Sequence, residues 1–124
     1  MHLIVNGFAG DEALLDDIEH IRAFLEAMPG RLGMTAIDEV RVLRHEAAKG
    51  IDSGITGGVF IAESHISIHT FPRVGSAMID IASCKPFNTD VALDACVRAF
   101  GFRVHTHRVV QRMLLPSLAD AVSA

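Results

Sequence analysis

Residues 57–84, GGVFIAESHISIHTFPRVGSAMIDIASC, constrain this chain more than any other stretch. Val59-Phe60-Ile61-Ala62 starts as a buried strand, and Ile66 to Phe71 alternates apolar and polar side chains. Ala77 to Ala82 makes another strand beyond a turn at Pro72–Gly75. A two-residue period in short runs bounded by turn residues predicts strands. Strands joined by such short links favour antiparallel pairing. The same run carries Glu63, Ser64, His65, Ser67, His69 and Thr70 among its apolar residues. A polar side chain buried in a sheet costs free energy unless it is paired. These residues therefore either line the solvated face of the sheet or form a site.

The flanking sequence supplies the rest of a two-layer fold. Leu3, Ile4, Val5 and Phe8 open the chain as a strand. Asp11 is placed to cap a helix, with Glu12 in its first turn. Leu14, Ile18, Ile21, Leu25 and Met28 then draw one apolar stripe, and Pro29-Gly30 is expected to end the helix. Met34 to Leu43 reads as a strand, and Glu46 to Gly58, with Gly50, Gly54, Gly57 and Gly58, as irregular. Asn88 or Thr89 caps a second helix whose Leu93, Cys96, Val97 and Phe100 share a face, and Gly101 closes it. Phe102 to Val110 is a last strand, and Leu114 to Val122 a short terminal helix. The order β-α-β-β-β-α-β predicts an α+β two-layer sandwich: one antiparallel sheet with both main helices on one face. Apolar residues on the uncovered face predict that a second copy of the chain covers it.

Composition narrows the function. The 124 residues fit one domain (1–124), and half of them are hydrophobic, enough to build a core. No apolar run is long enough to span a bilayer, and no basic, then apolar, leader opens the chain, so no membrane partner is expected. The formal charge is 11 − 15 = −4, without a Lys/Arg cluster, which leaves nucleic acid little to bind. Two cysteines make no disulfide framework, and a cytoplasmic setting is expected. Cys96 lies on the apolar face of its helix and reads as core. His105 and His107 share a strand face but lack a nearby carboxylate or thiol, so no metal is expected. Arg44-His45-Glu46 reads as a solvated strand end, and Asp80 as a structural acceptor in preference to a partner that supports a site residue.

The ordered set Glu63-Ser64-His65, Ile68-His69-Thr70-Phe71-Pro72, Ile79-Asp80 and Cys84 resembles the prokaryotic S-adenosylmethionine decarboxylase family. The likeness is dense over residues 54–84 and extends more weakly to His2-Leu3 and Arg103-Val104-His105. It implies a self-cleaving proenzyme that makes its own pyruvoyl cofactor from Ser64, giving pieces 1–63 and 64–124. Ser64 would attack the Glu63 carbonyl, converting the amide to an ester, and base-promoted elimination would then split the chain. His69 matches the histidine that moves protons in this processing, and Thr56 stands where the family usually has an assisting serine. The pyruvoyl group would form a Schiff base with the substrate amine and act as electron sink. Cys84 matches the general acid that protonates the product. The resemblance also implies a homodimer with active sites shared between protomers, working in polyamine and spermidine biosynthesis.

The chain departs from the family pattern where substrate would bind. Phe71 replaces the usual Trp, and Arg73 replaces a Glu that can accept bonds from ribose hydroxyls. A cation there would repel a sulfonium substrate. The stretch Lys49-Gly50-Ile51-Asp52-Ser53 has no aromatic residue to stack on adenine, and Lys85-Pro86 follows Cys84 where a Gly is usual. His65, Phe71, Arg73 and Asp52 are the candidate substrate contacts. The substrate order is S-adenosylmethionine first, then arginine or ornithine, whose distal cation Asp52, Glu46 or Asp38 would hold. An unprocessed regulatory or binding paralogue is the reading from another class.

Overall fold

Seven strands form one antiparallel sheet in a computed structural model that describes residues 1–112. The helix expected at Leu114–Val122 lies outside the described residues. In chain order the elements are β1 (His2–Phe8), α1 (Glu12–Leu15), α2 (Ile18–Arg31), β2 (Thr35–Ala36), β3 (Arg41–His45), β4 (Gly54–Ala62), β5 (Ser64–Phe71), β6 (Ser76–Ser83), α3 (Thr89–Phe100) and β7 (Val104–Val110). The strands lie in the order β2-β4-β5-β6-β1-β7, and β3 pairs with β4 alongside β2. The α+β architecture expected from the sequence is the one observed. β1 sits between β6 and β7, so strands from before and after Glu63–Ser64 interleave in one sheet.

Side-chain alternation divides the sheet into two faces. Leu3, Val5, Ile55, Ile61, Ile66, Ile68, Ile79 and Ile81 point inward, against Ile21, Phe24, Leu25 and Met28 of α2 and Ala92, Cys96 and Phe100 of α3. Each large aliphatic side chain so buried contributes about 1.5–3 kcal/mol. The opposite face carries Thr56 and Phe60 of β4, His65, Ser67 and His69 of β5, Met78 and Asp80 of β6, and His2, Ile4 and Asn6 of β1, aligned by the strand registers. No helix of the described residues packs there, and Phe60 is 63% exposed on it.

Four local expectations need correction. The first helix is two: α1 ends at Leu15, and Asp17 caps α2 by accepting from the backbone N–H groups of Glu19 and His20. A second capping aspartate inside the apolar stripe restarted the helix. Pro29 lies within α2 rather than after it, because a proline forfeits one helical donor without forbidding the next turn. The helix ends instead before Gly33, whose φ of 69° suits glycine. The Met34–Leu43 strand is broken into β2 and β3. Ala36 faces Ile61 and Arg41 faces Gly58, so four residues stand opposite two; the Ile37 N–H still donates to the Phe60 carbonyl, and the extra residues after it interrupt the strand. Finally, Gly54, Gly57 and Gly58 belong to β4, not to an irregular stretch. A Cβ on Gly57 would lie 2.8 Å from Leu25 Cδ1, so the glycine admits α2 close to the sheet.

Candidate active site

The β4–β5 hairpin puts Glu63 and Ser64 at its tip. Ile61 and Ser64 are in register, leaving Ala62 and Glu63 as the connection. Ser64 holds φ 138°, a value that side chains with a Cβ rarely adopt and that recurs at functional sites. Ser64 also pairs with Ser83 at the end of β6, and the Cys84 N–H donates to the Glu63 carbonyl at 3.2 Å. The buried Ser83 hydroxyl accepts from the Lys85 N–H at 3.1 Å, which fixes the turn carrying Cys84. Tertiary structure thus joins Glu63, Ser64 and Cys84, which are twenty residues apart in sequence. Cys84 is exposed, whereas Cys96 is buried as expected and its thiol is pushed up to about 12 by burial.

His65 Nδ1 lies 3.4 Å from Ser64 Oγ. His69 does not join this group within one chain. It lies five residues farther along β5, about 17 Å at 3.3 Å per residue. There it pairs with Thr56: the Thr56 hydroxyl and His69 Nδ1 are hydrogen-bonded at 3.0 Å, in register across β4 and β5. The threonine hydroxyl therefore reaches the imidazole despite its branched Cβ. His45, Asp52, Thr56, His69, Phe71 and Met78 line a cleft of about 300 Å³ at this end of the sheet.

Two departures from the family pattern meet in space. The Arg73 guanidinium is seated on the 3-10 turn Gly50–Asp52, where a Cβ on Gly50 would lie 2.8 Å from Arg73 Cζ. Asp52 is on the same turn and lines the cleft. Asp38 lines a different cleft beside Phe60 and His65, and Glu46 is exposed and does not line the cleft of Asp52. Arg44 pairs with Asp16 on the surface, in keeping with a solvated strand end. His105 and His107 stack at 5.7 Å between ring centroids on the exposed β7. Among the described residues no three metal-binding side chains cluster. Sequence reasoning gave Asp80 no named partner; it pairs with His2 Nε2 at 2.9 Å across β6 and β1. The available signal was the period-two placing of His2, Ile4 and Asn6 on one face.

The fold aligns with the crystal structure of the adenosylmethionine decarboxylase from Aquifex aeolicus, with a TM-score of 0.77 and 27% identity over 92% of this chain and 90% of that one. The class that this fold defines is a two-layer α+β decarboxylase. The family model for S-adenosylmethionine decarboxylase matches residues 1–113, and the chain belongs to that family. The S-adenosylmethionine decarboxylase proenzyme of Parasynechococcus marenigrum (strain WH8102) is 35% identical over 122 residues, 98% of this chain and 91% of the relative. That of Prochlorococcus marinus (strain MIT 9313) is 30% identical over 122 residues, 98% and 93% of the two chains. These relatives give no support to the arginine, ornithine or unprocessed readings.

Proposed function

We propose that this chain is a proenzyme that cuts itself between Glu63 and Ser64 and then decarboxylates S-adenosylmethionine as a homodimer. The carrying observation is the hairpin tip, where Ser64 with φ 138° and the backbone of Cys84 converge on the Glu63 carbonyl. An internal hydroxyl beside its own acyl group, held in an uncommon conformation, suits an acyl shift. The donor set also fits a pyruvoyl group made from Ser64, which would supply a carbonyl electron sink for the loss of carbon dioxide. Cys84 stands at the same tip as the proton donor to the product carbon, its exposed side chain on a turn fixed by Ser83. Asp52 and Phe71 line the cleft proposed for the adenosyl part, the Arg73 guanidinium lies on the Gly50–Asp52 turn beside it, and His65 is near the reacting end. No metal has a role in this reading.

The homodimer follows from distance. Thr56 and His69 form one hydrogen-bonded unit about 17 Å along β5 from Ser64, outside the reach of a general base. A second copy stacked on the open face would bring its own Thr56–His69 unit to Ser64 and would cover Leu43, Phe60 and Met78, all exposed apolar side chains there. Each site would then use both protomers. Cleavage would leave the pieces interleaved, since β1 of residues 1–63 lies between β6 and β7 of residues 64–124. Their formal charges, 5 − 11 = −6 and 6 − 4 = +2, are opposite. Two unpaired cysteines suit the cytoplasm, where the product would enter polyamine synthesis.

Intact-mass measurement on the purified protein tests the reading. It should give residues 1–63 and a pyruvoyl-capped 64–124, with carbon dioxide released from S-adenosylmethionine. A persistent 124-residue species in both the native chain and Ser64→Ala would refute it, as would release only from arginine or ornithine.

A further inference from the structure

A second polar group stands beside the hairpin tip, around Ala82. On the open face, Ala82 of β6 is in register with His65 of β5 and His2 of β1. Its methyl belongs to the uncovered side of the sheet, yet only 1% of the residue is accessible. Adjacent strands are about 4.8 Å apart, so a methyl there stays dry only when its flanking side chains close over it. The two in register with it across the sheet are imidazoles, with Asp80 two residues away along β6 on the same face. His2 is held from behind by Asp80, with Nε2 2.9 Å from Oδ1 and both residues half-buried. His65 reaches the other way, its Nδ1 3.4 Å from Ser64 Oγ. The polar side chains run Ser64, His65, His2, Asp80 across β5, β6 and β1.

We propose that His65 accepts the Ser64 hydroxyl proton in the first processing step, and that the His2–Asp80 pair is the positioning unit that holds His65 toward it. The assignment rests on the self-processing reading above and names residues for one step of it. In that step the bond from Ser64 Oγ to the Glu63 carbonyl carbon forms, and the bond from that carbon to the Ser64 nitrogen breaks. The hydroxyl proton passes to His65 and from it to the departing Ser64 amine. Amide and ester are isomers, so no further reactant is consumed. His69 of the same chain is about 17 Å away and is left to the later loss of the Ser64 α-proton, supplied by a second copy. A carboxylate on one imidazole nitrogen fixes the ring's tautomer and orientation, which is what Asp80 does for His2. The ionisable groups facing His2 on this side of the sheet are His65 on β5, Asp80 on β6 and Arg108 on β7.

The test uses the full-length chain, freshly made by cell-free translation and followed by intact mass, with hydroxylamine added to cut any ester. His69→Asn should accumulate a hydroxylamine-sensitive ester. His65→Asn should accumulate uncut chain without ester, its first step slowed about a hundredfold or more. His2→Gln and Asp80→Asn should each slow ester formation about tenfold, with no further loss when combined, and Asp80→Glu should recover most of the rate. Imidazole added to His65→Gly should restore cleavage, which a merely structural role would not do. Should His65→Asn fail to fold, the imidazole arm on folded His65→Gly decides alone. Ester formation at the native rate in His65→Asn, or native cleavage in His2→Gln and Asp80→Asn, overturns the assignment alone. A native chain that never cuts overturns self-processing and this assignment together.

Discussion

Co-producing Ser64→Ala chains with His69→Ala chains separates a site shared between protomers from one contained in each. Within a chain, Ser64 and His69 lie about 17 Å apart along β5, against the 2.6–3.2 Å, or one bridging water, that proton transfer requires. Neither variant alone can assemble both groups at one site. In a mixed dimer, the His69→Ala chain keeps its Ser64 and meets an intact His69 on the other chain. Equal amounts pairing at random give half mixed dimers, each with one competent site, so about a quarter of all chains should be cut. Intact mass reads the cut fraction directly, because the cleaved pieces derive only from the His69→Ala chain. Size-exclusion chromatography of each variant checks that dimers form. The reasoning fails if His69→Ala alone is cut at the native rate, or if the mixture contains mixed dimers and stays uncut. Charge-tagging one chain and isolating the mixed dimer sharpens the expectation to about half of its chains.

Other outcomes follow from the same geometry. Cys84→Ala should leave cleavage intact, since only its backbone N–H meets Glu63, and should lower turnover about a hundredfold or more; equal kcat in the variant refutes its acid role. Gly57→Val should destabilise by about 1–3 kcal/mol, because a Cβ would press within 2.8 Å of Leu25 Cδ1; urea unfolding reads the loss, and an unchanged midpoint contradicts the packing argument. Arg73→Glu should lower KM for S-adenosylmethionine several-fold with kcat little changed, by replacing a cation at the cleft rim with an anion opposite a sulfonium. A raised KM would mean that the guanidinium on Gly50 contributes to binding. Alkylating reagents should modify Cys84 in the folded protein and Cys96 only after unfolding, the first thiol being exposed and the second buried. Both thiols lie in residues 64–124, so mass spectrometry of proteolytic peptides separates them, and early loss of the Cys96 thiol would contradict its place in the core.

Where the sequence misled, a local signal competed with a tertiary one. The stripe Leu14, Ile18, Ile21, Leu25 and Met28 read as one helix, yet Asp17 caps α2 and divides it. The glycines at 54, 57 and 58 looked like loop residues, because the reasons for them are tertiary: Gly57 admits Leu25 of α2, 32 positions away, and Gly54 and Gly58 lie close to the backbone of β5 at Thr70 and Ile66. The split of β2 from β3 depends on register with β4, which alternation alone does not reveal. His2 and Asp80 lie 78 positions apart, and only the β1–β6 pairing joins them.

The sequence by itself determined the two-layer class, because period-two and period-3.6 patterns are properties of neighbouring residues. It also singled out the residues proposed for the chemistry through the Glu63-Ser64-His65, His69-Thr70 and Cys84 pattern, and it placed Cys96 in the core. Tertiary structure alone decided their company. It brought the backbone of Cys84 to Glu63, put Thr56 against His69, and set that pair far from the Ser64 of its own chain. The physical reason lies in strand geometry: five residues along β5 carry a side chain about 17 Å away, whereas one step across the sheet is only about 4.8 Å. Proximity in the chain and proximity in the site are therefore different quantities in a sheet, and pairing register links them.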